Sequence, residues 1–114
     1  MRIHYLEIVT NDVAGVCAAY EASLHAEFGD PEPRLGNARV AEDGAGGLVA
    51  VRTPMHEAEE PTIRPYWLVD DIQAAFQAAL TAGAEVAHPP LEIEGFGTFA
   101  IYISGGGHHA LWQT

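Results

Sequence analysis

Two stretches decide the fold: Tyr5-Leu6-Glu7-Ile8-Val9-Thr10-Asn11-Asp12 near the start of the chain and Pro65-Tyr66-Trp67-Leu68-Val69-Asp70-Asp71-Ile72 in its second half. Residues 2 to 9 and 62 to 69 alternate in the manner of strands, and each run is followed by side chains that accept hydrogen bonds from free helix N–H groups, Thr10-Asn11-Asp12 and Asp70-Asp71. Beyond the caps the period changes. Val13, Val16, Cys17, Tyr20 and Leu24 fall on one stripe of a helix running to about Ala26, and Ile72, Ala75, Phe76, Ala79 and Leu80 fall on another that Gly83 ends.

Working outward, Gly29, Pro31, Pro33 and Gly36 break the chain into a loop or a short irregular strand. Residues 37 to 42 and 48 to 53 flank Asp43-Gly44-Ala45-Gly46-Gly47 and read as a hairpin. In the second half, residues 84 to 87 read as a short strand before Pro89-Pro90, and residues 98 to 104 and 109 to 113 as strands joined through Gly105-Gly106-Gly107. The same order of elements thus occurs twice. One such unit is too small to bury its own sheet face, so the expected fold is α+β, two βαβββ modules in tandem forming a cleft. Module 1 spans about 1–55, a charged and proline-bounded linker about 56–61, and module 2 about 62–114. Glu57-Ala58-Glu59-Glu60 within the linker reads as solvated. By strand parity the helix-facing sides take His4, Leu6 and Ile8, and Ile63, Trp67 and Val69; the opposite, concave side takes Tyr5, Glu7, Arg64 and Tyr66.

Composition narrows the function. The chain has 16 acidic residues against 5 basic ones, all arginine, and a formal charge of -11. Without lysine it cannot form a Schiff base, attach pyridoxal phosphate or build a P-loop. Its serines, Ser23 and Ser104, lie outside any Gly-x-Ser-x-Gly context, which excludes an elbow-type serine hydrolase. The negative field disfavours nucleic acid and anionic membranes as partners. Cys17, the single cysteine, cannot form an internal disulfide and lies on the apolar stripe of the first helix, as a core residue would. Met1-Arg2-Ile3-His4 lacks the pattern of a secretory signal and no apolar run approaches a membrane span, so a cytoplasmic location is expected.

The two halves together resemble the vicinal oxygen chelate superfamily, the group of glyoxalases, bleomycin-resistance proteins and extradiol dioxygenases. The resemblance covers essentially the whole chain as one domain, 1–114. It rests on Glu7-Ile8-Val9-Thr10-Asn11-Asp12 with Tyr20, on residues 65 to 72, on Pro89-Pro90-Leu91-Glu92-Ile93-Glu94-Gly95-Phe96-Gly97-Thr98-Phe99-Ala100, and on Ala110-Leu111-Trp112-Gln113. The branch it resembles is often labelled putative hydroxylase. The resemblance implies a divalent metal held by His, Glu or Gln from four strands. In this sequence those places fall on Tyr5, Val51 or Arg52, Arg64 and Ala110, none of them a usual ligand, so no cofactor is expected.

Other candidates follow from chemistry. His108-His109 is the most ligand-like pair, yet adjacent strand residues point to opposite faces, so it supports a metal only as the alternative reading. His56 and His88 lie in proline-flanked segments and read as surface residues, and His25 suits a helix carboxyl end. Glu7 is either a general base or one half of an ion pair with Arg64. Tyr5, Arg52, Tyr66 and Tyr102, with Arg64, would receive an anionic or aromatic ligand. The leading expectation is a glyoxalase-like protein binding a small organic molecule in its cleft, with Glu7 and Arg64 carrying any catalysis. The alternatives are a metal-dependent lyase or dioxygenase using His108 or His109, and a non-catalytic drug-binding protein. A homodimer is expected in each case.

Overall fold

The computed structural model describes residues 1–114, and its contacts divide the chain into two units, Tyr5–Ile63 and Arg64–Thr114 joined by Met1–His4. In the Tyr5–Ile63 unit, β1 (Ile3–Val9) leads into α1 (Val13–Leu24), a 3-10 turn (Pro33–Leu35), β2 (Arg39–Glu42) and β3 (Leu48–Arg52). β3 lies between its neighbours, parallel to β1 with Tyr5 opposite Leu48 and antiparallel to β2. Asp12 caps α1 as its side chain accepts from the Gly15 N–H at 3.0 Å, and His25 ends it in the left-handed conformation at φ 56°. Ile8, Cys17, Phe28, Ala41 and Val51 form the core between α1 and the sheet. This confirms Ile8 as helix-facing and Cys17 as core.

The second unit runs β4 (Thr62–Leu68), α2 (Ile72–Thr81), β5 (Glu85–Ile93), β6 (Gly97–Ser104) and β7 (Gly107–Gln113), with sheet order β4-β7-β6-β5. Asp71 caps α2 through the Ala74 N–H at 3.1 Å, repeating the role of Asp12, and the Ile72 N–H donates to the Gln113 side chain at 2.8 Å. Ile72, Phe76, Ala100 and Leu111, with Trp67 and Val69 packed against them, make the core between α2 and one sheet face. β6 turns into β7 through Gly105 and Gly106, whose φ values of 61° and 79° suit a two-residue hairpin turn that a β-branched residue would resist.

Several expectations need correction. The segment expected as an irregular strand in module 1 is the 3-10 turn, with one isolated bridge between Glu32 and Ala38, so this half is βαββ. Pro31 and Pro33 supply no N–H for a ladder there. β5 does not stop at Ala87 but continues through Pro89-Pro90 to Ile93; it lies at the end of the strand order, where missing donors are tolerated. α1 ends at Leu24, which is exposed, rather than at Ala26. Ile63, assigned by parity to the core, is 62% exposed. Residues 1–4 belong with the second unit, where the Leu68 N–H donates to the Arg2 carbonyl at 2.8 Å and His4 lies against Trp112. No helix is long and apolar enough to cross a membrane.

Candidate functional site

In the Tyr5–Ile63 unit the chemistry gathers on Arg52. Val51 and Arg52 are neighbours on β3 and so face opposite ways: Val51 enters the core under α1, and Arg52 comes to the face that carries Glu7. The Arg52 Nε donates to Glu7 Oε2 at 3.1 Å, Nη1 to Glu59 Oε1 at 2.7 Å and to the Thr53 carbonyl at 3.1 Å, and Nη2 to Glu59 Oε2 at 2.8 Å. Glu59 Oε1 also accepts the Met55 N–H at 2.7 Å. Arg52 is 5% exposed and Glu7 7%. The hydrogen bonds that Arg52 donates to Glu59, followed by the charge of Glu7 and the bond donated to it, hold Arg52 protonated beyond the ordinary arginine range despite the opposing pull of burial.

This arrangement changes three assignments. Glu59 is no solvated linker residue, because its carboxylate grips Arg52 with both oxygens. Arg52, expected to receive a ligand, spends four hydrogen bonds inside its own unit, leaving one of its five N–H donors. Glu7, for which Arg64 was the expected partner, has a guanidinium partner within its own unit in Arg52. Spacing alone could not reveal Glu59, since it approaches from a turn seven residues after Arg52.

The second unit gathers rings. On the sheet face away from α2, His88 lies against Phe99, tilted by 35° with centroids 4.7 Å apart, Phe99 meets Tyr66 edge-on at 6.3 Å, Tyr66 meets Trp112 at 5.8 Å, and Trp112 lies 6.0 Å from His4. Tyr66 and Trp112 are buried, whereas Phe99 and His88 remain half-exposed at one end of this chain of rings. Arg64, also half-buried, lies two residues before Tyr66 on β4 and shares its parity. Gly97 sits against the indole: a Cβ there would be 2.7 Å from Trp112 Nε1.

Tyr102 is not part of this face. It shares parity with Ala100 and packs toward α2, where it stacks on His109 at 5.4 Å. His109 Nε2 contacts the Ser104 carbonyl at 3.0 Å, while His108, one residue earlier, points to the other face. Tyr5 is buried in the first unit. Phe99 and Trp112 were legible in principle, because the alternation of residues 98 to 104 separates Phe99 and Ile101 from Ala100 and Tyr102.

The residues at the four metal-ligand places of the superfamily do not fit a divalent cation. Tyr5 is a buried phenol, Val51 is core, Arg52 and Arg64 are cationic, and Ala110 is a fully buried methyl group. No three His, Cys, Asp or Glu side chains are grouped to hold a metal ion.

A βαβββ unit whose helix covers one sheet face while the other carries the candidate site, preceded by a shorter βαββ relative, is the fold that the resemblance to the vicinal oxygen chelate superfamily implies. Solved structures show the same fold. A hypothetical protein from Bacillus halodurans superimposes with TM-score 0.76 at 14% identity, covering 99% of this chain and 94% of that one. Methylmalonyl-CoA epimerase from Mycobacterium tuberculosis gives 0.73 at 14% identity, with 97% and 86% covered. The Streptomyces coelicolor methylmalonyl-CoA epimerase in complex with 2-nitronate-propionyl-CoA gives 0.73 at 15%, with 100% and 97% covered. Neither a protein-family model nor a curated protein matches the sequence.

Proposed function

We propose that this chain binds a small organic molecule with a planar, largely apolar body on the ring-bearing sheet face of its second unit, without a metal of the superfamily's usual kind. The observation that carries the reading is the run His88, Phe99, Tyr66, Trp112, with its half-exposed end at His88 and Phe99. Rings in edge and offset contact present both π-faces and edges, which suits a flat guest. Arg52 is an unsuitable receptor for an anion because Glu7 and Glu59 already hold it. In this reading an anionic group on the guest is assigned to Arg64, which shares the parity of Tyr66 on β4.

The chain has two tryptophans, Trp67 on the α2 side and Trp112 among the rings. A Trp67→Phe variant therefore makes Trp112 the single emitter. Titration with bicyclic aromatics and short acyl-CoA thioesters, methylmalonyl-CoA included, is expected to change that emission, and Phe99→Ser to abolish the response. Ligands that bind by calorimetry yet leave Trp112 emission untouched would place the site elsewhere.

A second reading, proton transfer beside a thioester carbonyl with Glu7 as the base, is suggested by the methylmalonyl-CoA epimerases that share the fold. Deuterium exchange into the α-position of methylmalonyl-CoA, lost in Glu7→Gln, would support it; no exchange by the wild type would dismiss it. Pairing with a second copy belongs to the same proposal, supported by β5, which ends the strand order and exposes Val86 and Leu91. A concentration-independent monomer in sedimentation would refute that part.

A further inference from the structure

The ladder between β5 and β6 contains an irregularity that re-aims one side chain. Val86 pairs with Tyr102, but His88 rather than Ala87 pairs with Ile101, so one extra residue is inserted in β5. Without it His88 would share the parity of Val86 and Tyr102 and face α2. The bulge turns it to the side of Ile101 and Phe99, where its ring lies 4.7 Å from that of Phe99, tilted by 35°. The ring is fixed in a second way: Nδ1 lies 2.7 Å from the Pro89 carbonyl. A carbonyl oxygen only accepts, so Nδ1 carries a proton, and in the neutral imidazole Nε2 is then a bare acceptor. The Pro89 contact is the one hydrogen bond the His88 ring makes.

We infer that His88 is the specificity-determining residue of the ligand face: its Nε2 accepts a hydrogen bond from an O–H or N–H on the edge of a flat ligand stacked beside Phe99. The inference rests on the reading of that face as a ligand site. It adds the class of guest, a planar molecule with one edge donor, and accounts for a histidine that the aromatic contacts alone would leave interchangeable with phenylalanine. A guest whose donor is capped would leave Nε2 desolvated and unbonded, which is where discrimination arises.

Two measurements test it. Nitrogen-detected histidine spectra of the whole chain, at a pH where His88 is neutral, should show Nδ1 protonated and Nε2 bare; the opposite tautomer overturns the inference. Calorimetry with 2-naphthol and 2-methoxynaphthalene supplies the second. Wild type should prefer the naphthol by roughly tenfold, the value of one hydrogen bond. His88→Phe, which keeps a ring beside Phe99, should bind both equally, and His88→Gln, which retains an acceptor oxygen, should restore part of the preference. Equal binding of both by the wild type, or a preference that survives in His88→Phe, overturns the role of His88 and leaves the ligand face standing. Binding of neither overturns the ligand face and this inference with it.

Discussion

Replacing Glu59 tests whether the turn after β3 is anchored by charge. Its carboxylate makes two short bonds to Arg52 and accepts the Met55 N–H, while Arg52 keeps its bonds to Glu7 and Thr53. Breaking a fully buried ion pair from one side costs about 3–5 kcal/mol. Arg52 meets that condition at 5% side-chain exposure, but Glu59 is 18% exposed, so water can replace part of what is lost. The expected loss is about 3 kcal/mol for Glu59→Ala and about 2 kcal/mol for Glu59→Gln, which retains a neutral acceptor. In a domain of this size that lowers Tm by roughly 8–12 °C. Glu57→Gln, an exposed change in the same acidic run, should stay within about 0.5 kcal/mol of wild type. Urea unfolding followed by circular dichroism measures all three, and an Arg52→Gln, Glu59→Gln cycle should show coupling above about 1 kcal/mol. If Glu59→Gln and Glu57→Gln are equally stable, Glu59 is the solvated residue that its sequence context suggests, and the anchoring argument fails.

Gly97→Ala should cost about 2–4 kcal/mol, since φ is 140° and the new methyl would collide with the Gln113 carbonyl and crowd Trp112 Nε1. Gly83→Ala, at φ 110° with open space around it, should cost only the backbone strain of about 1 kcal/mol; equal losses in denaturant would contradict the role given to the β7 backbone. Burial pushes the Cys17 thiol up, with nearby Arg39 opposing and Glu21 assisting. Alkylation of the native protein should therefore proceed no faster than unfolding exposes the thiol. Because the folded value is raised, the contribution of Cys17 to stability is present below the ordinary thiol range and falls as pH rises through it, a trend that Cys17→Ala should remove. Rapid native labelling would show that the thiol is accessible.

Local chemistry made much of the fold legible. Apolar spacing and a carboxylate before each helix mark α1 and α2, because a cap acts within three residues of its own position. Alternation marks β1 and β4, because one face of each strand meets a helix. The same rules failed where a side chain is aimed by a neighbour distant in sequence. Tyr102 was placed on the ligand side although β6 turns it toward α2, and β5 was ended early although its edge position tolerates Pro89 and Pro90.

From sequence alone came the repeated strand–cap–helix order, the exclusion of lysine chemistry and the core role of Cys17. The tertiary structure alone decided which charges meet and which rings share a sheet face. Arg52 is joined to Glu7 across 45 residues of chain, and a one-residue bulge moves His88 from the helix side to the aromatic side. Ion pairs and bulges are settled by register between strands, and a shift of one residue reverses the face of every side chain that follows.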